Sequence, residues 1–152
     1  MQVHEIGEGE PEYAVIGSLH GDEPCGKKSI EKFLRAEYKF QKSVKFIIAN
    51  EKALEKEVRF VDADLNRSFP GDKESDKHEE RLAAKILDEV RGLKVLDIHS
   101  THSYPEPFAT LSELNDTTKS LCRSAGVENA VYFPESNGTL NEKVDGIIVE
   151  AG

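Results

Sequence analysis

The sequence contains little that would stabilise a small secreted protein by cross-links. Only two of its 152 residues are cysteines, Cys25 and Cys122, which is too few for a disulfide framework. Each cysteine falls on the apolar face of a predicted helix, where we expect a buried free thiol. We therefore do not expect a fold that depends on disulfides.

Long apolar runs are also absent. No apolar stretch approaches the roughly 18 residues that indicate a membrane span, and the N-terminal residues do not form a basic segment followed by an apolar one. Such a segment would be typical of a signal peptide. We therefore expect a cytoplasmic protein with no membrane partner.

Positive charge is scarce relative to negative charge. The formal net charge is −9 at pH 7, and the lysine and arginine residues form no basic stripe along the sequence. Because phosphate binding needs such a stripe, we expect no nucleic-acid partner.

Length and hydrophobic content permit one folded domain, spanning residues 1–152. The chain is 38% hydrophobic, and its length suffices to bury a core. Helical and extended patterns alternate along it, with no internal repeat and no low-complexity segment. This order predicts an α/β fold, in which helices are layered on a sheet.

The periodicity of apolar residues assigns the elements more closely. A first helix is predicted over 24–38, where Pro24 suits a first helical position. A second follows the apolar stripe at 82–90. A third begins at a cap at Asn115 and stops at Gly126. The predicted strands are 13–18, 44–49, 93–98, 130–133 and 147–149. The segment 57–77 has neither period, and an irregular stretch of that length is usually functional or disordered.

Candidate metal ligands follow two of these strands. His20 and Glu23 come directly after strand 13–18, and His99 comes directly after strand 93–98. Ligands in open α/β sheets collect beyond the carboxyl ends of the strands, so these side chains can meet. Two histidines and one glutamate suit zinc and leave a fourth position open, which is typical of a catalytic site.

Two further carboxylates allow more than one interpretation. Asp97 lies on the same strand face as His99, where it either holds the imidazole by its second nitrogen or is a hydrogen-bonded carboxylate at a strand end. A hydrolytic metal site also needs a proton acceptor that is not a ligand. Glu150 fits this role because it follows a strand, although a glutamate in that position is more often a surface residue.

The irregular segment supplies positive charge. Arg59 can stabilise a developing oxyanion, and Arg67 with the adjacent amide of Asn66 can bind a carboxylate. The alternative is that both arginines are solvated loop cations on an acidic protein.

Taken together, four ordered blocks resemble the aspartoacylase/succinylglutamate desuccinylase family, which is related to the zinc carboxypeptidases. The blocks are His20-Gly21-Asp22-Glu23, Arg59 with Asp64-Leu65-Asn66-Arg67-Ser68-Phe69-Pro70-Gly71, Asp97-Ile98-His99 and Glu150-Ala151-Gly152. They extend over nearly the whole chain. Four blocks in order are far more specific than any one of them.

The resemblance implies a role for each candidate residue. One zinc ion per chain would be bound by His20, Glu23 and His99, and Arg59 would polarise the oxyanion. Asn66 and Arg67 would bind the substrate carboxylate, and Glu150 would be the general base and acid. The implied fold is a three-layer α/β/α sandwich around a mixed sheet, as in the zinc carboxypeptidases.

The resemblance also implies a function. A zinc-dependent amidohydrolase of this kind would cleave the amide bond of an N-acyl amino acid to give a carboxylate and a free amino acid. A small anionic substrate would be attracted because zinc, Arg59 and Arg67 outweigh Glu23 and Glu150 in charge. The alternatives are a carboxypeptidase-like metallopeptidase, and a zinc-binding domain that is inactive without a missing C-terminal part.

The chain departs from the family pattern in one respect. Family members generally continue beyond the Glu-Ala-Gly block into a β-rich C-terminal region, and this sequence stops two residues after Glu150. We therefore expect a catalytic domain that lacks this region, with the carboxylate of Gly152 close to the base. His102 has no place in the pattern, and it either reaches the site or is a partly exposed loop residue.

Overall fold

A mixed β-sheet forms the centre of the protein. The structure is a computed structural model and describes residues 1–36, 38–101 and 104–151. Within them the sheet has seven strands in the order β1-β3-β2-β4-β7-β5-β6. The strands are β1 (Gln2–Ile6), β2 (Tyr13–Gly17), β3 (Val44–Ile48), β4 (Lys94–His99), β5 (Phe108–Leu111), β6 (Asn129–Tyr132) and β7 (Asp145–Glu150).

Parallel pairing dominates the middle of the sheet. Strands β3, β2, β4 and β7 are neighbours and parallel, whereas β1 pairs antiparallel with β3 and β5 pairs antiparallel with β7. The carboxyl ends of β2, β4 and β7 therefore meet at one edge of the sheet. Two short 3₁₀ turns, Leu65–Arg67 and Leu140–Glu142, accompany the helices α1 (Cys25–Arg35), α2 (Glu51–Lys56), α3 (His78–Val90) and α4 (Asp116–Ala125).

Helices cover both faces of the sheet. Alternate side chains of the strands pack against α3 on one face, where Ile16 and Val95 meet Ile86. On the opposite face, Ile30 of α1 packs on Phe46, and α4 packs on the core around Ala109, Leu111 and Ile147. This is the predicted three-layer α/β/α sandwich, and the prediction is confirmed.

The boundaries of α4 follow from its sequence. Asn115 accepts a hydrogen bond from the Thr118 N–H at 2.9 Å, and the Thr118 side chain accepts one in return from the Asn115 N–H at 3.1 Å. The helix ends at Gly126, whose φ of 70° is left-handed. Cap and terminator are both as predicted.

Several local predictions differ from the structure. Helix α1 ends at Arg35 rather than at 38, β6 runs from 129 to 132 rather than from 130 to 133, and β1, α2 and β5 were not predicted. The missed elements are short, and β1 and α2 bury few side chains, so their apolar periodicity is weak. Both cysteines are free thiols, as expected, but they are half-buried rather than buried.

No helix in the described part of the chain is both long and apolar enough to cross a membrane.

Candidate active site

Three side chains converge where β2 and β4 end. His20 and Glu23 lie in the turn between β2 and α1, and His99 is the last residue of β4. The three are nearly inaccessible to solvent, with exposures of 2%, 8% and 4%. One potential ligand atom from each lies within 4.8 Å of the others. The structure therefore brings together all three predicted metal ligands.

Glycines allow this turn to form. A Cβ on Gly17 would lie 2.6 Å from the carbonyl carbon of Gly26, so only glycine allows α1 to approach the end of β2 so closely. Gly21 is packed even more tightly, because a Cβ there would lie 2.1 Å from the carbonyl carbon of Ala53. The backbone around His20 and Glu23 is thereby fixed against its neighbours.

Both imidazoles direct the same nitrogen toward Glu23. Nδ1 of His20 is 2.9 Å from Glu23 Oε1, and Nδ1 of His99 is 3.0 Å from Glu23 Oε2. The two rings meet edge to face with their centroids 5.0 Å apart. The Ser100 N–H also donates to Glu23 Oε2, at 3.1 Å.

The opposite nitrogen of each imidazole is held by an aspartate. Nε2 of His20 is 3.0 Å from Asp64 Oδ1, and Nε2 of His99 is 2.8 Å from Asp97 Oδ2. A carboxylate behind a histidine fixes its orientation and leaves the other nitrogen for a metal. Of the two interpretations of Asp97, the geometry supports the one in which it holds the imidazole. Asp64 was not assigned this contact from the sequence.

The charges of the cluster are strongly coupled. Burial alone would lower the pKa of both histidines, but Asp64 and Glu23 raise the pKa of His20, and Asp97 and Glu23 raise that of His99 well above its ordinary value. Burial alone would raise the pKa of Glu23, whereas hydrogen bonds with His20 and His99 lower it. The carboxylates of the cluster therefore favour a positive charge at the position of the two imidazoles.

This donor set fits a zinc ion. Two imidazole nitrogens and a carboxylate oxygen are good zinc ligands, and three protein ligands leave room for a substrate or water. Within the described residues, Asp97 Oδ1 is buried and has no hydrogen-bond partner. One oxygen of Asp97 thus lies on the His99 imidazole directly behind the cluster, and the other has no protein donor among these residues.

Arg59 lies beside this cluster. Its Nη1 donates to Glu23 Oε1 at 3.0 Å, its Nε donates to Asp64 Oδ2 at 3.4 Å, and its side chain is 45% exposed. Its carbonyl oxygen accepts a hydrogen bond from the Gly21 N–H at 3.2 Å. Arg59 is thus paired at the site and is not merely a solvated loop cation.

A buried glutamate anchors the segment that carries Arg59. Glu79 is fully buried and accepts hydrogen bonds from the backbone N–H groups of Val61, Asp62 and Ala63 at 2.7, 2.9 and 3.1 Å. The Asn50 side chain donates a fourth at 3.1 Å. No sequence pattern signals this role, because glutamate is ordinarily an exposed residue.

Asn66 and Arg67 lie in the 3₁₀ turn that Asp64 caps. The Asn66 N–H donates to Asp64 Oδ1 at 2.9 Å, and the buried Asn66 side chain accepts from the Leu140 N–H through Oδ1 at 3.0 Å. Arg67 donates to the Asn66 carbonyl oxygen at 2.7 Å. Because Asn66 Oδ1 is already engaged, the group of Asn66 that suits a bound carboxylate is its N–H₂.

Glu150 ends β7, directly opposite His99 in the sheet register. It is half-buried, and its burial raises its pKa. Glu23 and Asp97 raise this pKa further, whereas His99 lowers it. A raised pKa is expected of a group that accepts and returns a proton near neutral pH.

A cavity of about 550 Å³ joins Glu150 to Asn66 and Arg67. The other residues of its lining come from β5, β7 and the segment that precedes β7. They are Thr110, Phe133, Glu135, Ser136, Asn137, Thr139, Asn141 and Ile148. The predicted substrate-binding residues and the predicted base therefore share one cavity.

Two predictions fall outside the described residues. His102, for which two interpretations were open, is one of them, and Gly152 with its carboxylate is the other.

Comparison with known proteins identifies the family. The family model described as the succinylglutamate desuccinylase/aspartoacylase catalytic domain matches residues 10–148. The chain belongs to this family. The resemblance seen in the four sequence blocks is confirmed.

Curated members of the family are longer than this chain. A protein of Prochlorococcus marinus strain MIT 9215 named "Probable aspartoacylase" is 31% identical, over 90% of this chain and 49% of its own length. An N-acyl-aromatic-L-amino acid amidohydrolase (carboxylate-forming) of Xenopus tropicalis is 30% identical over 59% of this chain and 33% of its own. The chain spans about half the length of the aspartoacylase relatives it matches.

Solved structures share the fold. Succinylglutamate desuccinylase from Vibrio parahaemolyticus superimposes with a TM-score of 0.80 at 23% identity, covering 99% of this chain and 62% of the other. Murine aminoacylase 3 superimposes with a TM-score of 0.75 at 22% identity, covering 95% of this chain and 57% of the other. At these identities the likeness establishes the fold, and the predicted zinc carboxypeptidase-like architecture is confirmed.

Proposed function

We propose that residues 1–152 form the catalytic domain of a zinc-dependent amidohydrolase. It hydrolyses the amide bond of an N-acyl amino acid to a carboxylate and a free amino acid. One observation carries the proposal. His20, Glu23 and His99 converge with both Nδ1 atoms directed inward, and Glu150 lies opposite His99 on the next strand. Family membership supports an N-acyl amino acid as substrate.

The metal would be held by His20, Glu23 and His99, at one ion per chain. When bound, zinc supplies Lewis acidity for a carbonyl oxygen and lowers the pKa of water. Asp64 and Asp97 hold the two imidazoles in the orientation this requires.

Glu150 is the proton-transfer group. Its half-buried carboxylate lies on the same side of the sheet as the cluster and lines the cavity. It accepts a proton from the attacking water and returns it to the nitrogen of the leaving amine. A carboxyl group with a raised pKa performs both transfers more readily than one that stays ionised.

Three residues of the irregular segment bind the anionic groups of the substrate. Arg59 donates to Glu23 and is close enough to the cluster to stabilise an oxyanion formed there. Arg67 and the N–H₂ group of Asn66 bind the substrate carboxylate at the cavity. The proposed substrate is therefore a small anionic molecule.

Metal analysis and amine release test this proposal. Zinc-reconstituted protein is expected to hold about one zinc per chain, and His99→Ala is expected to lose most of it. The zinc-loaded chain is assayed for amine release from N-acetylaspartate, N-succinylglutamate and N-acetylated aromatic amino acids, with peptides as the comparison. Preferential cleavage of peptides would indicate a carboxypeptidase-like enzyme. Zinc binding without hydrolysis of any substrate would contradict catalysis by this chain.

A further inference from the structure

The cavity beside Glu150 has an unusual balance of charge for an anion-binding site. Among the described residues of its lining, Arg67 is the only cation. Two carboxylates, Glu135 and Glu150, line the same space. If Arg67 pairs with one substrate carboxylate, a second one meets no other cation among the described residues of the lining and lies near like charge. An unpaired charge in a partly desolvated site is costly.

The rest of the wall is neutral and forms hydrogen bonds. We call Thr110, Ser136, Asn137, Thr139 and Asn141 the polar wall of the cavity. Part of it is already ordered by internal hydrogen bonds. The hydroxyl of Thr139 donates to the Ser136 carbonyl oxygen at 2.8 Å, and the hydroxyls of Ser136 and Ser112 are 2.7 Å apart. The wall is therefore shaped before a ligand arrives, which favours selective binding.

One member of the wall lacks a partner. Asn141 is 6% exposed, and its Oδ1 is buried with no hydrogen-bond partner among the residues that the structure describes. A buried carbonyl oxygen left without a donor costs free energy, so such atoms ordinarily have a partner. Asn141 lines the cavity, so a rotation of its side chain would present this oxygen to a ligand N–H or O–H group. A carboxylate would not supply the missing donor, because it only accepts hydrogen bonds.

We propose that this cavity binds an uncharged hydrogen-bond donor, a carboxamide or a hydroxyl group, and rejects a second carboxylate. The inference rests on the proposed function and specifies its substrate as an N-acyl amino acid with a single carboxylate, bound at Arg67. The names of several relatives refer to aspartate or succinylglutamate, which carry more than one carboxylate. The preference of this chain is expected to differ from what those names indicate.

Pairs of ligands that differ only in an amide or acid group test the preference. N-acetylasparagine is compared with N-acetylaspartate to probe the amino-acid side, and N-succinamoylglycine with N-succinylglycine to probe the acyl side. The readout for the zinc-loaded chain is kcat/KM where amine is released, and Kd from calorimetry where none is. We expect the carboxamide to be favoured about tenfold in at least one pair, and that pair identifies the side of the substrate that enters the cavity.

The outcomes for this inference and for the proposed function are separate. Equal or better use of the acid in both pairs would overturn the inference, even if all four compounds were hydrolysed. Tighter binding of a carboxamide without any amine release would support the inference and contradict the proposed function.

Two variants attribute the preference to the cavity. Glu135→Gln removes one carboxylate from the lining, and Asn137→Arg adds a cation at an exposed position of the polar wall. We expect each variant to raise kcat/KM, or the binding affinity, for the carboxylic acid relative to the carboxamide by about threefold or more. Glu8→Gln is the matched control, since it makes the same charge change in the turn between β1 and β2, at the opposite end of the sheet. If neither cavity variant changed the ratio of acid to amide, the assignment of the preference to this cavity would be refuted.

Discussion

His99 and Glu150 lie directly across from each other on the neighbouring parallel strands β4 and β7. Residues that are opposite in a parallel pair point to the same face of the sheet. Their separation is therefore set by the register of two central strands and does not depend on loop conformation. The metal ligand and the proton acceptor that His99 and Glu150 are proposed to be would keep a constant geometry on such a support, which catalysis requires.

Glu150→Gln is expected to abolish most hydrolysis without loss of metal. The amide keeps the size of the side chain but cannot accept a proton, so we expect kcat to fall by about a hundredfold or more. Zinc content, measured by elemental analysis, should stay at the wild-type level because Glu150 is not a proposed ligand. Glu8→Gln serves as the control. A variant that retained most of the wild-type rate would exclude Glu150 as the general base.

Asp97→Asn is expected to weaken zinc binding while the fold is retained. The amide is nearly isosteric, but it no longer presents a carboxylate to His99 Nε2, which lies 2.8 Å from Asp97 Oδ2. Loss of such a partner typically reduces metal affinity by about 10- to 100-fold. Competition with a chromophoric chelator measures this change, and circular dichroism checks the fold.

Asn66→Ala is the comparison for Asp97→Asn, since it also alters a buried side chain but leaves the contacts of the histidines unchanged. Equal zinc affinity in wild type and Asp97→Asn would mean that Asp97 is only a hydrogen-bonded carboxylate at a strand end, the alternative that the sequence left open.

The parts of the site that were predictable are those that follow regular strands. His20, Glu23, His99 and Glu150 each come just after, or at the end of, an apolar run, and parallel strands deliver such residues to one edge. The family blocks then implied the roles that are proposed for Arg59, Asn66 and Arg67, which periodicity alone does not suggest.

The contacts that were not predictable cross long sequence separations without a periodic signal. Asp64 reaches His20 from the irregular segment, and Glu79 binds backbone N–H groups of Val61, Asp62 and Ala63. Neither residue differs in type from the many exposed carboxylates of this acidic chain, so only the fold distinguishes them. The short edge strand β1 was missed for a related reason, since it buries little.

Arg67→Ala is expected to impair substrate binding more than the chemical step. Arg67 lines the cavity, and its role is proposed to be binding one carboxylate, which is present in the substrate before and during reaction. Removing such an interaction raises KM with a smaller effect on kcat. We expect KM to rise by about tenfold or more, consistent with the loss of about 1.5–3 kcal/mol from a charged hydrogen bond.

Arg67→Lys refines this measurement. Lysine keeps the charge but cannot bind a carboxylate in bidentate fashion, so an intermediate KM is expected. A fall in kcat at unchanged KM in both variants would instead assign Arg67 to the transition state.

Glu79→Gln is expected to destabilise the metal-free protein in a pH-dependent manner. Burial alone would raise the pKa of Glu79, but hydrogen bonds from Val61, Asp62, the Asn50 side chain and Ala63 hold it below its ordinary value. Glutamine replaces one accepting oxygen with an N–H₂ group. This group is itself a donor, so it cannot accept the hydrogen bonds that those N–H groups donate. The expected loss is about 1–3 kcal/mol at pH 7.

The sign of the pH dependence follows from the lowered pKa of Glu79. A carboxyl group with a lower pKa in the folded than in the unfolded state stabilises the fold above its unfolded pKa, about 4.3. That contribution is lost as the pH falls through the folded value. The difference in unfolding free energy between wild type and Glu79→Gln, from urea titrations, should therefore be full at pH 7 and shrink below about pH 4.3. Glu74→Gln, at an exposed loop position, should match wild type in unfolding free energy both at pH 7 and below about pH 4.3. A gap between wild type and Glu79→Gln that did not change with pH would show that the charge of Glu79 is not what holds the segment carrying Arg59.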